Sequence, residues 1–171
     1  RPGECETLEA VLEIVRNAPD ARVLADLDAS AEFAVRECSG DPTRIGVTGF
    51  CWGGRIVWLY AAHEPRLRAG IAWYGRLVGD TDPRHPRQPL DVAPELRVPV
   101  LGLYGSEDSG IPLETVERMK TALDASDSGS TFVVYEGAPH AFHADYRTSY
   151  RPEPARDGWA RMLAWLRAHG A

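Results

Sequence analysis

Arg44-Ile-Gly-Val-Thr-Gly-Phe-Cys-Trp-Gly53 is the stretch on which the reading of this chain turns. Arg44 to Thr48 reads as a short buried strand, and it breaks into Gly49-Phe50-Cys51-Trp52-Gly53. The pattern is that of a sharp strand-to-helix elbow carrying a nucleophile at its tip, with cysteine where serine is usual. Two glycines are expected around the tip because the turn forces backbones together and leaves no room for a Cβ on either side. Cys51 is thereby thrust out at the end of a sheet with a helix N-terminus behind it. The partial positive charge there favours a thiolate. The competing reading is a small cysteine buried in a glycine-rich turn.

Working outward, Gly53 to His63 is the helix that follows, with Ile56, Val57, Leu59 and Tyr60 set to pack on the sheet. Upstream, Leu8, Val11, Leu12 and Val15 recur at helical spacing. After a break at Asn17-Ala-Pro-Asp20, Asp20 is placed to N-cap a second helix carrying Val23, Leu24, Leu27, Ala31, Phe33, Ala34 and Val35, which ends near Ser39-Gly-Asp-Pro42. Downstream, strands are expected at Ala69 to Tyr74, Val98 to Tyr104 and Thr131 to Tyr135, with a proline-rich loop from Arg76 to Leu96. A helix is expected over Leu113 to Ala125, irregular chain over Glu136 to Tyr150, and a final helix over Pro154 to His169 that buries Trp159, Met162, Leu163, Trp165 and Leu166. Strands alternating with helices imply right-handed parallel crossovers, hence an α/β fold: a three-layer α/β/α sandwich on a mostly parallel sheet.

The 171 residues suffice for a single domain, 1–171. With 44% hydrophobic and 26% charged residues the composition is that of a globular protein with no bilayer-spanning run, so the expectation is a cytoplasmic protein with no membrane partner. A net charge of −6 argues against a nucleic-acid partner. Cys5, Cys38 and Cys51 form neither a disulfide framework nor a metal site, Cys5 and Cys38 read as bystanders, and no metal or cofactor is expected.

In an open parallel sheet, ligands bind beyond the carboxyl ends of the strands. The loops leaving those ends carry Cys51, then Tyr74-Gly75-Arg76, then Asp108, then His140. Nucleophile, acid and histidine in that chain order match the triad order of α/β-hydrolases. A thiolate attacking an ester carbonyl splits hydrolysis into acylation and deacylation, with one imidazole serving both proton transfers. The backbone N–H of Trp52, next after the nucleophile, is the expected oxyanion donor. Glu107 is the alternative acid and His143 the alternative base. His63, His85 and His169 read as surface groups.

Gly49-Phe-Cys-Trp-Gly-Gly54, Tyr104-Gly-Ser-Glu-Asp108 and Tyr135-Glu-Gly-Ala-Pro-His-Ala-Phe142 together resemble the dienelactone hydrolase family of the α/β-hydrolase fold, as do Asp26-Leu-Asp28 and Trp73-Tyr-Gly75. The resemblance implies a carboxylic ester hydrolase, with Cys51 as nucleophile, His140 as general base and acid, and Asp108 orienting the imidazole. It implies a small ester or lactone substrate, carboxymethylenebutenolide in the family's named reaction. Tyr74, Arg76 and Phe142 are the candidate substrate contacts. The family's lactone hydrolases have an arginine four residues after the histidine, where this chain has Ala144; Arg147, Arg76, Arg84 and Arg87 are the possible substitutes.

The family's strands that precede the elbow, and the second oxyanion donor among them, have no counterpart here. The expectation is therefore a chain lacking the family's N-terminal third, holding the C-terminal four strands and exposing a sheet edge open to self-association. The alternatives are a catalytically impaired scaffold used in association, or a carboxylesterase or thioesterase of unrelated substrate.

Overall fold

The computed structural model describes residues 7–171, so Cys5 lies outside the described residues. Four strands, β1 (Gly46–Phe50), β2 (Ala69–Trp73), β3 (Val100–Gly105) and β4 (Thr131–Tyr135), form one parallel sheet in the order β1-β2-β3-β4. β2 and β3 are buried throughout, as central strands covered on both faces must be. β1 ends the sheet, and its residues alternate between exposed and half-buried.

Helices α1 (Leu8–Asn17) and α2 (Asp20–Glu37) precede β1, α3 (Trp52–His63) joins β1 to β2, and α5 (Leu113–Leu123) joins β3 to β4. The last helix, α6 (Pro152–His169), covers the opposite face. The side-chain alternation of β2 shows the two layers: Gly70 faces Val57 of α3, whereas Trp73 faces Gly158 of α6. Trp58 of α3 donates to the Tyr104 hydroxyl at 3.1 Å, and that hydroxyl donates to the Gly75 carbonyl at 2.9 Å. This buried relay holds the turn leaving β2. The fold is the three-layer α/β arrangement expected.

Several sequence expectations need correction. The elbow strand begins and ends two residues later than Arg44 to Thr48. The segment from Arg76 to Leu96 is not all loop: it holds α4 (Pro89–Val92) and a 3₁₀ turn (Ala93–Glu95), because a Gln88–Asp91 capping box organises the prolines into a helix start. Asp20 is not an N-cap; Pro19 occupies that position, and the buried Asp20 carboxylate pairs with Arg55. Only part of α3 packs on the sheet, since Ile56 and Leu59 turn away to meet Val23, Leu24 and Leu27 of α2. Phe33 is 54% exposed and Trp159 is 46% exposed, so neither is core. No helix of the described residues is long and apolar enough to cross a membrane.

Candidate active site

Three strand ends converge on one point. At the first, β1 turns into α3 through Cys51, whose backbone takes φ 54° and ψ −118°. A non-glycine residue there is strained, and such strain concentrates at functional turns. Hydrogen bonds fix it: the Cys51 amide donates to the Trp73 carbonyl at 3.0 Å, and the Cys51 carbonyl accepts from the amides of Gly54 and Arg55. The amide of Trp52 lies in the first turn of α3, where N–H groups have no intrahelical acceptor.

The glycines of the elbow are not equivalent. A Cβ on Gly49 would run into the Gly53 carbonyl group, whereas a Cβ on Gly53 would meet nothing. The second close approach belongs to Gly54, where a Cβ would stand 2.5 Å from the Trp73 carbonyl oxygen and 3.0 Å from the Gly75 Cα. The expectation for Gly53 is therefore corrected to Gly54.

The exit loops of β3 and β4 are stitched together by main-chain bonds from Ser106 to Tyr135 and from Glu107 to Ala138, and by the Ser106 hydroxyl accepting from the Gly137 amide. This brings Asp108 Oδ2 to 2.6 Å from His140 Nδ1 and His140 Nε2 to 3.2 Å from Cys51 Sγ. The other oxygen of Asp108 accepts from the Gly110 amide at 2.9 Å, so the buried carboxylate is held at both ends. That hydrogen bond to Asp108, and then the one to Cys51, raise the His140 pKa to about 9. Glu107, beside it in sequence, is exposed. The arrangement can hold a proton on imidazole next to sulfur, the requirement for nucleophilic attack followed by proton delivery to a leaving group.

Beside Cys51 lies a cleft of about 580 Å³ whose wall comes from the end of β1, the 141–150 segment and the first half of α6. Tyr74 lines it, with φ 37°, its ring edge-on to His140 at 5.2 Å. Burial pushes the Tyr74 phenol pKa upward, so it stays protonated. His143 is a wall of this cleft: its ring packs against Phe50, Trp73 and Trp159, and burial lowers its pKa from the ordinary 6.5.

Two candidate substrate contacts are not brought to the cleft. Phe142 is fully buried and packs against Tyr74 and Trp73, directly after Ala141, whose φ is 59°. Arg76 is exposed and outside the lining, since the chain leaving β2 turns away after Gly75. Of the other arginines considered, Arg147 lines the cleft and stands over the Tyr146 ring, whereas Arg87 is paired with Glu95. Arg156 and Tyr150 line the cleft and were not singled out from the sequence, and Trp159, expected in the core, lines it too; a helix that carries apolar residues on two adjoining faces gives no sign of which one faces a cavity. His85 is only partly exposed and bonds to the Ala18 carbonyl at 3.1 Å, which corrects its reading as a surface group. Among the described residues, no group of three or more His, Cys, Asp or Glu side chains is arranged to hold a metal ion.

A family profile described as "Dienelactone hydrolase family" matches residues 2–170. A protein of Methylorubrum extorquens described as "Putative carboxymethylenebutenolidase" is 55% identical over 174 aligned residues, covering 99% of this chain and 60% of that protein. A Bradyrhizobium protein described as "Probable 2-oxo-3-(5-oxofuran-2-ylidene)propanoate lactonase" is 31% identical over 94% of this chain and 65% of its own length. The crystal structure described as "Putative Dienelactone Hydrolase" from Klebsiella pneumoniae superposes with a TM-score of 0.91 at 53% identity, covering 96% of this chain and 69% of that one. The chain thus spans about 60% of the length of the curated relatives it matches.

Proposed function

This chain belongs to the dienelactone hydrolase family, and we propose that it carries the Cys-His-Asp machinery of a hydrolase that opens small esters or lactones through a thioester. The observation that carries the reading is the unbroken line from Asp108 to His140 to Cys51, at 2.6 and 3.2 Å, at the edge of a substrate-sized cleft. His140 keeps its proton at neutral pH, and the sulfur of Cys51 attacks the carbonyl carbon in its nucleophilic thiolate form. The oxyanion is met by the Trp52 amide in the first turn of α3. As the tetrahedral intermediate collapses, the C–O bond breaks and the leaving oxygen takes the Nε2 proton. Neutral His140 then accepts a proton from water as that water attacks the thioester, and sulfur departs as thiolate, restoring the pair.

The relatives described as a carboxymethylenebutenolidase and as a furanylidene lactonase support a conjugated lactone as substrate. Arg147 at the cleft wall, in place of Arg76, is the residue suited to an anionic group on it. Incubation with 4-nitrophenyl acetate should place an acetyl group on Cys51, detectable by mass spectrometry, and Cys51→Ala should lower turnover at least about 10³-fold. Undiminished turnover by Cys51→Ala rejects the proposal.

A further inference from the structure

We propose that Phe50, His143 and Trp159 form an aromatic shelf beside Cys51 that selects substrates with a flat, conjugated acyl group. Phe50 immediately precedes the nucleophile and is 38% exposed, and its ring is backed by buried Trp73 at 5.2 Å and 25°. His143 continues the surface, 5.3 Å from Phe50, and Trp159 extends it, 5.7 Å from His143 at an interplanar angle of 29°. All three rings line the cleft that Cys51 also lines. Trp73 meets the His143 ring edge-on at 4.6 Å and fixes it from behind.

Core packing does not account for Trp159. The positions of α6 packed on the core include Gly158, where a Cβ would press into the Trp73 ring, Met162, Leu163 and Leu166, and Trp159 is not among them. The close approach at Gly158 leaves Trp159 beside the cleft with nearly half its surface exposed. A large aromatic side chain left open in a concave site is a ligand contact by its chemistry. His143 suits the same role. Its imidazole makes no hydrogen bond among the described residues, and burial lowers its pKa, so at neutral pH it presents an uncharged flat ring.

The inference rests on the proposed thioester chemistry, because the acyl group is the part of the substrate that stays bonded to Cys51 and so stays against this wall. A planar conjugated group lays its whole face on the shelf, whereas a puckered ring of equal size touches it only through a few hydrogens. From the strength of aromatic pairs, the preference should be about 3- to 10-fold.

The test compares 4-nitrophenyl benzoate with 4-nitrophenyl cyclohexanecarboxylate, which share a leaving group. In His143→Leu and Trp159→Leu the benzoate preference, read as the ratio of kcat/KM for the two esters, should fall about 3- to 10-fold, while Trp159→Phe keeps the preference. A second arm needs no turnover: benzamide and cyclohexanecarboxamide are titrated while the His143 imidazole protons are followed by NMR. Benzamide should bind more tightly, and lose its advantage in Trp159→Leu. Equal binding of the two amides, or an unchanged ester preference in both leucine variants, overturns the shelf. Preferential benzamide binding without ester cleavage supports the shelf and rejects the hydrolase chemistry.

Discussion

His140 is held in a protonated state by its neighbours, and the order of the causes says which variant should change it. The hydrogen bond to Asp108 acts first, that to Cys51 second, and burial opposes both. With a pKa of about 9, the imidazole is charged below that pH and neutral above it, so the form able to protonate a leaving group disappears as pH rises through about 9. The kcat/KM profile should therefore show its alkaline limb there. Asp108→Asn removes the largest cause, and the limb should move to lower pH, toward the 6.5 of an ordinary histidine, with activity lowered by about 10²- to 10⁴-fold. A profile whose alkaline limb stays in place would assign the raised pKa to something other than Asp108. At this scale the residue types were legible from the chain order of their loops, and the family motifs, rather than spacing, favoured Asp108 over Glu107 and His140 over His143. The choice depends on which way each side chain leaves a turn: Asp108 is drawn inward by the Gly110 amide and His140, whereas Glu107 points to solvent.

The elbow between β1 and α3 puts the strain of Cys51 on a scaffold of backbone contacts, and its two flanking glycines should respond in opposite ways. Gly49→Ala sets a methyl group into the Gly53 carbonyl, a backbone atom that cannot move aside. It should cost at least the upper part of the about 1–3 kcal/mol seen for overpacking, read as a lower urea midpoint. Gly53→Ala meets open space at the start of a helix, where alanine is favoured over glycine by roughly 1 kcal/mol, so the protein should be as stable as before or more so. Equal destabilisation by the two would contradict the geometry. The G-x-C-x-G pattern located this element correctly, but it could not say that the tight partner of Gly49 is the Gly53 main chain, nor that Gly54 rather than Gly53 needs to lack a side chain. The first belongs to the turn of β1 into α3, the second to the crossing of α3 over the end of β2.

Across the whole molecule, Arg55 is the side chain that ties the elbow helix to its surroundings. Its guanidinium takes the Asp20 carboxylate in a fork at 2.7 and 2.8 Å, and also donates to Gln88 Oε1 at 2.8 Å and to the Arg87 carbonyl at 3.0 Å. It thus joins α2, α3 and the chain before α4 in one buried network. Asp20→Ala leaves the guanidinium buried without its counter-charge and should cost about 3–5 kcal/mol in urea unfolding. The Asp20→Leu, Arg55→Met pair should recover much of that loss, because removing both charges leaves none unpaired. If the double variant is no more stable than Asp20→Ala, packing rather than charge carries the contact. By itself the sequence determined the layered α/β fold, the positions of its four strands to within two residues and the three residues that meet at the site, because strand periodicity and elbow chemistry are local properties of the chain. Tertiary structure alone decided the Arg55 network, the cleft, and the exchange of Phe142 and Arg76 for His143, Trp159 and Arg147 on its wall. These depend on how α6 and the 141–150 segment lie against the sheet, and contacts between residues far apart in sequence have no period from which to read them.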